Sequence, residues 1–452
     1  MKNLKLKLAV SISFLLCHYT LLAQYDYNNY NFPEVTVQGL NLNFNSFGTY
    51  NNYKYARNSE YLGFSYNMGA NYFQFTNSPK KQKTDLINLQ NNYSYLENSS
   101  FNPFQPNDRS FFINIDKRQI NRNYYKNEAS FLGLKGKFYE INHRIGLSHD
   151  RYYSSLKTSA TTDVTFGLGY GRLEPLTEVM DAQFMMDDLL KAGIIQEKFS
   201  EAELYELAAV MAKVKNTRVF DFRRARIFQL TELSKWLKSK GIEQDITTFT
   251  IMNDNWLSNF TSQRVNGKRL TFSLTPWAQK SWSRIKDVKS STDLATGGVA
   301  ALTYVQAKNK SQYYSTESTL RLSHGINNID PLSKDITTLT GSYGWIYNPN
   351  SRTTISVVPT VSLATHKFSN YAAKLSLPLN FNYFINNQAR ISGFVSLDWL
   401  SSDAVIFERS SGVNEFNSNF RSDVYTPGSK ILPFESSRFA INGGLTFSYS
   451  FF

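Results

Sequence analysis

Apolar and polar residues alternate along most of the chain after Val35. The last segment shows this most clearly, with one apolar row (Phe439, Ile441, Leu445, Phe447, Tyr449 and Phe451) and one polar row (Arg438, Asn442, Thr446, Ser448 and Ser450). A period of two places the two rows on opposite faces of a sheet. Because the pattern recurs at 164–170, 355–363, 375–383 and 391–399, it predicts a largely β protein.

The ends of the apolar rows and the spacing of the connections favour a membrane barrel over a soluble sandwich. The rows end in Tyr and Trp, as aromatic girdles do, and short turns alternate with longer loops. We expect turns near 78–83, 121–127, 308–312, 348–351 and 386–388, and loops near 97–109, 147–157, 285–294, 325–334 and 402–436. The prediction is an all-β, antiparallel, up-and-down transmembrane barrel of about 14 strands. The range of 12 to 16 stays open, with six strands before residue 172 and bulges at Pro359 and Pro378.

The first 23 residues have the pattern of a secretory signal peptide. Three lysines at positions 2, 5 and 7 precede an apolar core from Leu8 to Leu22, and Ala23 suits the cleavage site. A lipoprotein signal at Cys17 is disfavoured because Leu16 stands before it. Cleavage removes the only cysteine and lowers the net charge from +13 to +10. A mean hydropathy of −0.39, without a second long apolar run, excludes a polytopic helical membrane protein.

The signal sequence, the aromatic strands and the terminal Ser448-Tyr449-Ser450-Phe451-Phe452 together resemble outer-membrane β-barrel proteins of Gram-negative bacteria. The Asn- and Tyr-rich style is similar to that of the Bacteroidota. The resemblance implies a location in the bacterial outer membrane, with outer-membrane lipid and the barrel-insertion machinery as partners. The sequence departs from that class at one point: the class has its C-terminal aromatic residue in phase with the apolar row, whereas here Phe451 is in phase and Phe452 is not.

A helical pattern interrupts the alternation. Pro175 suits a first helical position, Ser200 and Glu203 form a capping box, and Gly193 and Gly241 suit helix ends. We therefore divide the chain into a signal peptide (1–23), a first barrel part (24–172), a helical insertion (173–260) and a second barrel part (261–452). The even strand number before the insertion places it on the periplasmic side.

Two groups of charged residues are the candidate functional sites. The third helix, expected from about Arg218 to Lys240, carries a basic docking face of Arg218, Arg223, Arg224, Arg226, Lys235 and Lys238. Anionic lipid headgroups, acidic cell-wall peptides and a periplasmic protein are its alternative partners; a merely solvated face is the other interpretation. The inward row contributes Lys374, Arg390, Asp398, Arg438, Glu317 and Arg321, which either line a pore or fill the interior as a charge network.

Motifs for catalysis, metal binding and phosphate binding are not found in the sequence. Ser323 and His324 are adjacent and so point to opposite faces, which disfavours a hydrolase. Gly167, Gly169 and Gly171 fall on the inward face, where glycine makes room inside the barrel. We predict no catalytic residue, metal or cofactor, and we expect no nucleic-acid partner. A channel or transport-type barrel with a periplasmic helical docking module is favoured. A non-transporting scaffold or an assembly or secretion component is the alternative, and an outer-membrane enzyme is less favoured.

Overall fold

The computed structural model describes most of the chain after the signal region. The described residues are 25–53, 59–98, 108–129, 134–152, 155–215, 217, 222–257, 264–285, 290–328, 335–366, 370–385, 389–400 and 438–449. The predicted signal peptide, Arg218, the segment 401–437 and the C-terminal Phe451 and Phe452 lie outside them.

Fifteen strands and four helices make up the described fold. The strands are β1 (Val35–Tyr53), β2 (Ser59–Ser78), β3 (Lys81–Asn98), β4 (Asp108–Ala129), β5 (Lys135–Tyr152), β6 (Ser155–Pro175), β7 (Val265–Ile285), β8 (Ser291–Asn309), β9 (Tyr314–Asn327), β10 (Asp335–Asn350), β11 (Thr353–Val357), β12 (Thr360–His366), β13 (Asn370–Phe384), β14 (Ala389–Leu400) and β15 (Arg438–Tyr449). The helices, between β6 and β7, are α1 (Thr177–Lys191), α2 (Glu201–Lys215), α3 (Phe222–Ser239) and α4 (Ile246–Leu257).

The strands form one antiparallel meander from β1 to β15, in which each strand except β11 and β12 pairs with its neighbours in sequence. β11 and β12 share a single place between β10 and β13, so the sheet has fourteen strand positions, six of them before the helices. The prediction of an antiparallel up-and-down sheet of about 14 strands with a helical insertion is confirmed. Among the described residues, no ladder joins β1 to β15.

Three local predictions were wrong. The expected bulges at the prolines are absent from these ladders: the register is the same before and after Val358 and Pro359, which stay hydrogen-bonded to both neighbouring strands, and Pro378 pairs with Ser396 inside β13. The expected turn at 121–127 is part of β4, and most of the expected loop at 147–157 belongs to β5 and β6. In these segments Arg122 pairs with Glu140 across the ladder and Asp150 lies on the same inner face as Glu140, so part of their polarity marks the inner side of a strand rather than a turn.

The sheet has one apolar and one polar face. Large apolar side chains such as Leu168, Leu322 and Leu377 are exposed on the first. Directly paired residues share a face, and the pairs Ser376–Asp398 and Arg321–Thr340 belong to the second.

The sheet is strongly curved. Across a flat sheet, the nine strand spacings from β2 to β11 would cover roughly 43 Å. Phe75 of β2 nevertheless packs against the core of the helices, and Arg352, at the turn before β11, pairs with Asp254 of α4 at 3.2 Å. The longest helix has 18 residues and is about 27 Å long. The strand ends near these two contacts therefore surround the helices, and the sheet curves with its polar face inside.

The four helices, hereafter the helical module, share one apolar core. Leu176, Met185, Leu207, Met211 and Leu233 are among its fully buried side chains, and aromatic residues from the N-terminal segment complete it. The hydrogen bonds between Ser200 and Glu203 start α2, and Gly241, with φ of +75°, ends α3. Pro175 closes β6 rather than opening α1.

Candidate functional site

The strand registers place the predicted inward charges on the polar face. Lys374 pairs with Ser362, which pairs with Thr340 and so leads to Arg321. Glu317 lies four residues before Arg321 on the same strand face. Asp398 accepts hydrogen bonds from Ser376 Oγ at 2.5 Å and Ser396 Oγ at 2.7 Å, so its carboxylate is held against the inner wall.

Two other members of this group have described backbones but side chains outside the described set. Arg390 lies opposite Ser448, and Arg438 lies opposite Leu400. Both backbone positions belong to the same inner row as Asp398.

Ion pairs between neighbouring strands also line the inner wall. Arg122 Nε donates to Glu140 at 2.8 Å, and Arg144 Nε donates to Asp116 at 2.7 Å. Each pair joins β4 to β5 across the ladder. Each of these two pairs is internally neutralised, so this part of the wall carries both signs of charge side by side.

The interior closes toward the end of the barrel that carries the helical module. On β5, Asp150 at the far end is exposed, whereas Glu140 and Phe138 near the module are buried. On β3, Gln90 is exposed and Gln82 is buried in the same way. Water therefore reaches the inner wall from one end, and packed side chains fill the other.

Aromatic and amide side chains form this packed base. The rings of Tyr124 and Phe138 lie 5.5 Å apart, and Tyr124 donates a hydrogen bond to Gln82 at 2.9 Å. Arg172 stands over the Tyr124 ring, with its guanidinium carbon 4.7 Å from the centroid, and reaches the carbonyl of Ser78 at 2.9 Å. β6 is thereby tied to the turn after β2, across the interior.

Helix α1 lies at this base and is buried on nearly every side. Twelve of its fifteen residues are buried, including charged and amide side chains. Asp187 accepts hydrogen bonds from Gln312 at 2.6 Å and from the Tyr313 hydroxyl at 3.0 Å, both in the turn between β8 and β9. Phe184 packs edge-on against Tyr313 at 5.7 Å. A polar interface therefore joins α1 to the rim of the barrel.

Arg264 joins the module to three strands. It directly precedes β7 and is buried, and its guanidinium donates to Asn348, to Asn309 Oδ1 at 3.4 Å and to the Ser311 carbonyl at 3.2 Å. Its backbone carbonyl accepts a hydrogen bond from Leu176 N at 2.7 Å. Burial lowers the pKa of Arg264 to about 10, so the group stays cationic at neutral pH.

Part of the predicted docking face is exposed on α3. Arg224, Lys235 and Lys238 are exposed, and the helical period places them on one side together with Ile227, which is 65% exposed. Lys235 pairs with Glu232 at 2.6 Å. Arg223 and Arg226 belong to α3, with side chains outside the described set.

Sequence reasoning missed the aromatic residues before β1, the ion pairs of β4 and β5, and Arg264. The ion pairs had a signal, because inward charges on two neighbouring strands meet once the register is traced. Arg264 had no such signal, because its partners lie at the ends of β8 and β10 and in the turn after β8.

Metal-binding clusters and membrane-spanning helices are two features that the described residues lack. No group of His, Cys, Asp or Glu in this part of the chain is placed to hold a metal ion. None of the described helices combines the length and the apolar character needed to span a membrane.

Comparison with known proteins finds likeness only among solved structures. No family model and no curated protein matches the chain. The alcaligin outer-membrane receptor FauA of Bordetella pertussis is 9% identical, with a TM-score of 0.35 over 93% of this chain and 59% of the receptor. This chain therefore spans about three fifths of the receptor's length.

Two shorter proteins are similar at the same level. The monoaromatic hydrocarbon channel TodX, as a deletion mutant, is 8% identical, with a TM-score of 0.28 over 81% of this chain and 84% of the channel. The translocator domain of the autotransporter NalP of Neisseria meningitidis is 10% identical, with a TM-score of 0.27 over 81% and 88%. These TM-scores lie below 0.5 and carry no argument about function.

Proposed function

We propose that this chain is a transport-type β-barrel of the bacterial outer membrane, whose helical module closes the periplasmic mouth. The exposed apolar outer face suits lipid, and the polar inner face suits a passage for a polar solute. A barrel of fourteen strands lies between those of eight strands, which side chains just fill, and those of sixteen to eighteen, which leave an aqueous channel.

The burial of α1 at the base is the observation that carries the proposal. A docking module with no role in closure would need only surface contacts with the barrel. Here Asp187 and Arg264 are buried among the strand ends, on the side where the inner wall loses its exposure to water. Hydrogen bonds dominate these contacts, as in interfaces between domains that move relative to one another.

Removing the module is the direct test. Pro175 and Val265 pair directly in the ladder between β6 and β7, so a short Gly/Ser turn can replace residues 176–264. In liposome swelling with neutral sugars, the deletion variant should admit solute much faster than the intact protein. A Gly/Ser insertion between Asn387 and Gln388, in the connection from β13 to β14 at the same rim, is the matched control, since it keeps the module and the Arg352–Asp254 contact. Equal, slow swelling of all three proteins would refute closure by the module.

The basic side of α3 supports a second candidate function, a scaffold that binds an anionic cell-wall polymer. The apolar side of α3 packs into the module core, so Arg224, Lys235 and Lys238 point away from it. Reversing these three charges should abolish co-sedimentation with purified peptidoglycan, whereas Lys213→Glu on α2 should not. Sedimentation unaffected by either change would exclude this binding.

A further inference from the structure

The segment Tyr25–Phe32, hereafter the strap, crosses the joint between the helical module and the barrel. Tyr25, Tyr27, Tyr30 and Phe32 are all buried and belong to the module core. The residues between them are exposed, and a turn closed by Asn29 N to the Asp26 carbonyl, at 3.0 Å, reverses the chain. The strap is therefore built into the module although it directly precedes β1.

Side-chain hydrogen bonds fix the strap to α1, α2 and the link between them. The Tyr25 hydroxyl donates to the Phe199 carbonyl at 2.9 Å, and the Tyr27 hydroxyl donates to Gln183 Oε1 at 3.0 Å. Burial raises the pKa of Tyr27 to about 12, so this hydroxyl remains a donor over the physiological range. The Tyr205 hydroxyl donates back to the Asp26 carbonyl at 2.8 Å.

Two contacts between the strap and the barrel are of a different kind, each made by a single amide group. Asn77 Nδ2 at the end of β2 donates to the Phe32 carbonyl at 3.2 Å, and Asn266 Nδ2 at the start of β7 donates to Asn28 Oδ1 at 3.1 Å. Water replaces such hydrogen bonds at a small net cost, whereas the buried aromatic rings are costly to expose. A separation at this joint would break the amide contacts and leave the strap on the module.

We propose that the strap is a latch, which holds the helical module in the barrel mouth through Asn28 and Asn266 and releases it when the solute passes. The inference rests on the proposed closure by the module. It adds that the contact between Asn28 and Asn266 decides when the module is released. A strap with only a structural role would keep its barrel contacts during transport, whereas a latch must break them.

A single side chain tests the latch without disturbing the core. Asn28→Ala removes the contact with Asn266 while the four buried rings stay in place. Asn29→Ala is the matched control, because Asn29 Nδ2 donates to Glu201 of the module, at 3.1 Å, and this contact does not cross the joint. Loss of one net hydrogen bond should raise the open population, and the rate of liposome swelling, about fivefold for Asn28→Ala. Asn29→Ala should swell like the intact protein.

A cross-link gives the opposite perturbation. The mature chain from Gln24 has no cysteine, so Asn28→Cys with Asn266→Cys introduces one defined pair. Once this pair is joined by a disulfide or a short thiol cross-linker, swelling should stop, and a reductant should restore it for the disulfide. Equal swelling in the locked and reduced states, or of Asn28→Ala and Asn29→Ala, would overturn the latch. If deletion of the module opens the barrel while these variants do not, only the latch fails; if that deletion also has no effect, the proposed function fails.

Discussion

Replacing Gly169 by alanine should destabilise the barrel, because the inner wall has no room for a methyl group there. A Cβ at this position would lie 2.5 Å from Phe138 Cζ and closer still to the Leu270 carbonyl oxygen of the next strand. Phe138 is fully buried against Tyr124, so the ring has no free space to enter, and the carbonyl belongs to the ladder. Overpacking of this kind costs about 1–3 kcal/mol.

Gly146→Ala provides the control on the same inner face. The nearest atoms to its added Cβ would be Asp116 Oδ1 at 3.8 Å and Thr161 Cβ at 3.9 Å, which is ordinary van der Waals contact. We expect a change within about 0.5 kcal/mol there. Urea titration of the refolded protein, read from the band shift of folded barrel on unheated gels, compares the two. If the two variants unfold at the same urea concentration as the original protein, the packing described for the base is wrong.

Three further perturbations test the wall, the joint and a helix start. Leu377→Arg on the outer face should cost about 2–4 kcal/mol in lipid, and Ser376→Arg on the inner face less; equal losses in urea titration would contradict the assigned faces. Arg264→Met leaves buried amides unpaired and should weaken the attachment of the module to the barrel by about 3 kcal/mol. Limited proteolysis should then cut the segment between β6 and β7 faster; an unchanged cleavage rate would count against Arg264 as an anchor. Hydrogen bonds from Ser200 lower the pKa of Glu203, so they stabilise α2 at neutral pH and this stability is lost as pH falls through the lowered value. Ser200→Ala keeps the backbone bond to Glu203 and loses the hydroxyl, so it should weaken that pH dependence and cost about 1 kcal/mol in thermal unfolding of the module; an unaltered acid profile would rule out the capping effect.

The strand pattern was predictable because the outer apolar row repeats every second residue, as at Leu375, Leu377 and Leu379. The same logic failed for polar segments. Asn121 and Arg122 suggest a turn by composition, yet they continue β4, where Arg122 forms an ion pair with Glu140 of the neighbouring strand. Strand ends are therefore the least predictable part of such a fold.

The closed base was beyond sequence reasoning for a different reason. Tyr27 and Gln183 are 156 residues apart, and Arg264 and Asn348 are 84 apart. No local spacing links such partners, and only the wrapping of the sheet brings them together. The charge of the α3 face was visible in the sequence because a helix brings nearby residues to one side.

The position of the strap also has a consequence for biogenesis. Its aromatic residues are made early, whereas the groove that buries them needs residues 156 to 174 positions later. Contacts of such long range form slowly, because a large loop must close first. Until then four apolar rings at the leading end stay uncovered, and chains at this stage are the ones most exposed to aggregation. A chaperone that holds aromatic segments would thus be most useful before the sixth strand and the first two helices have been made.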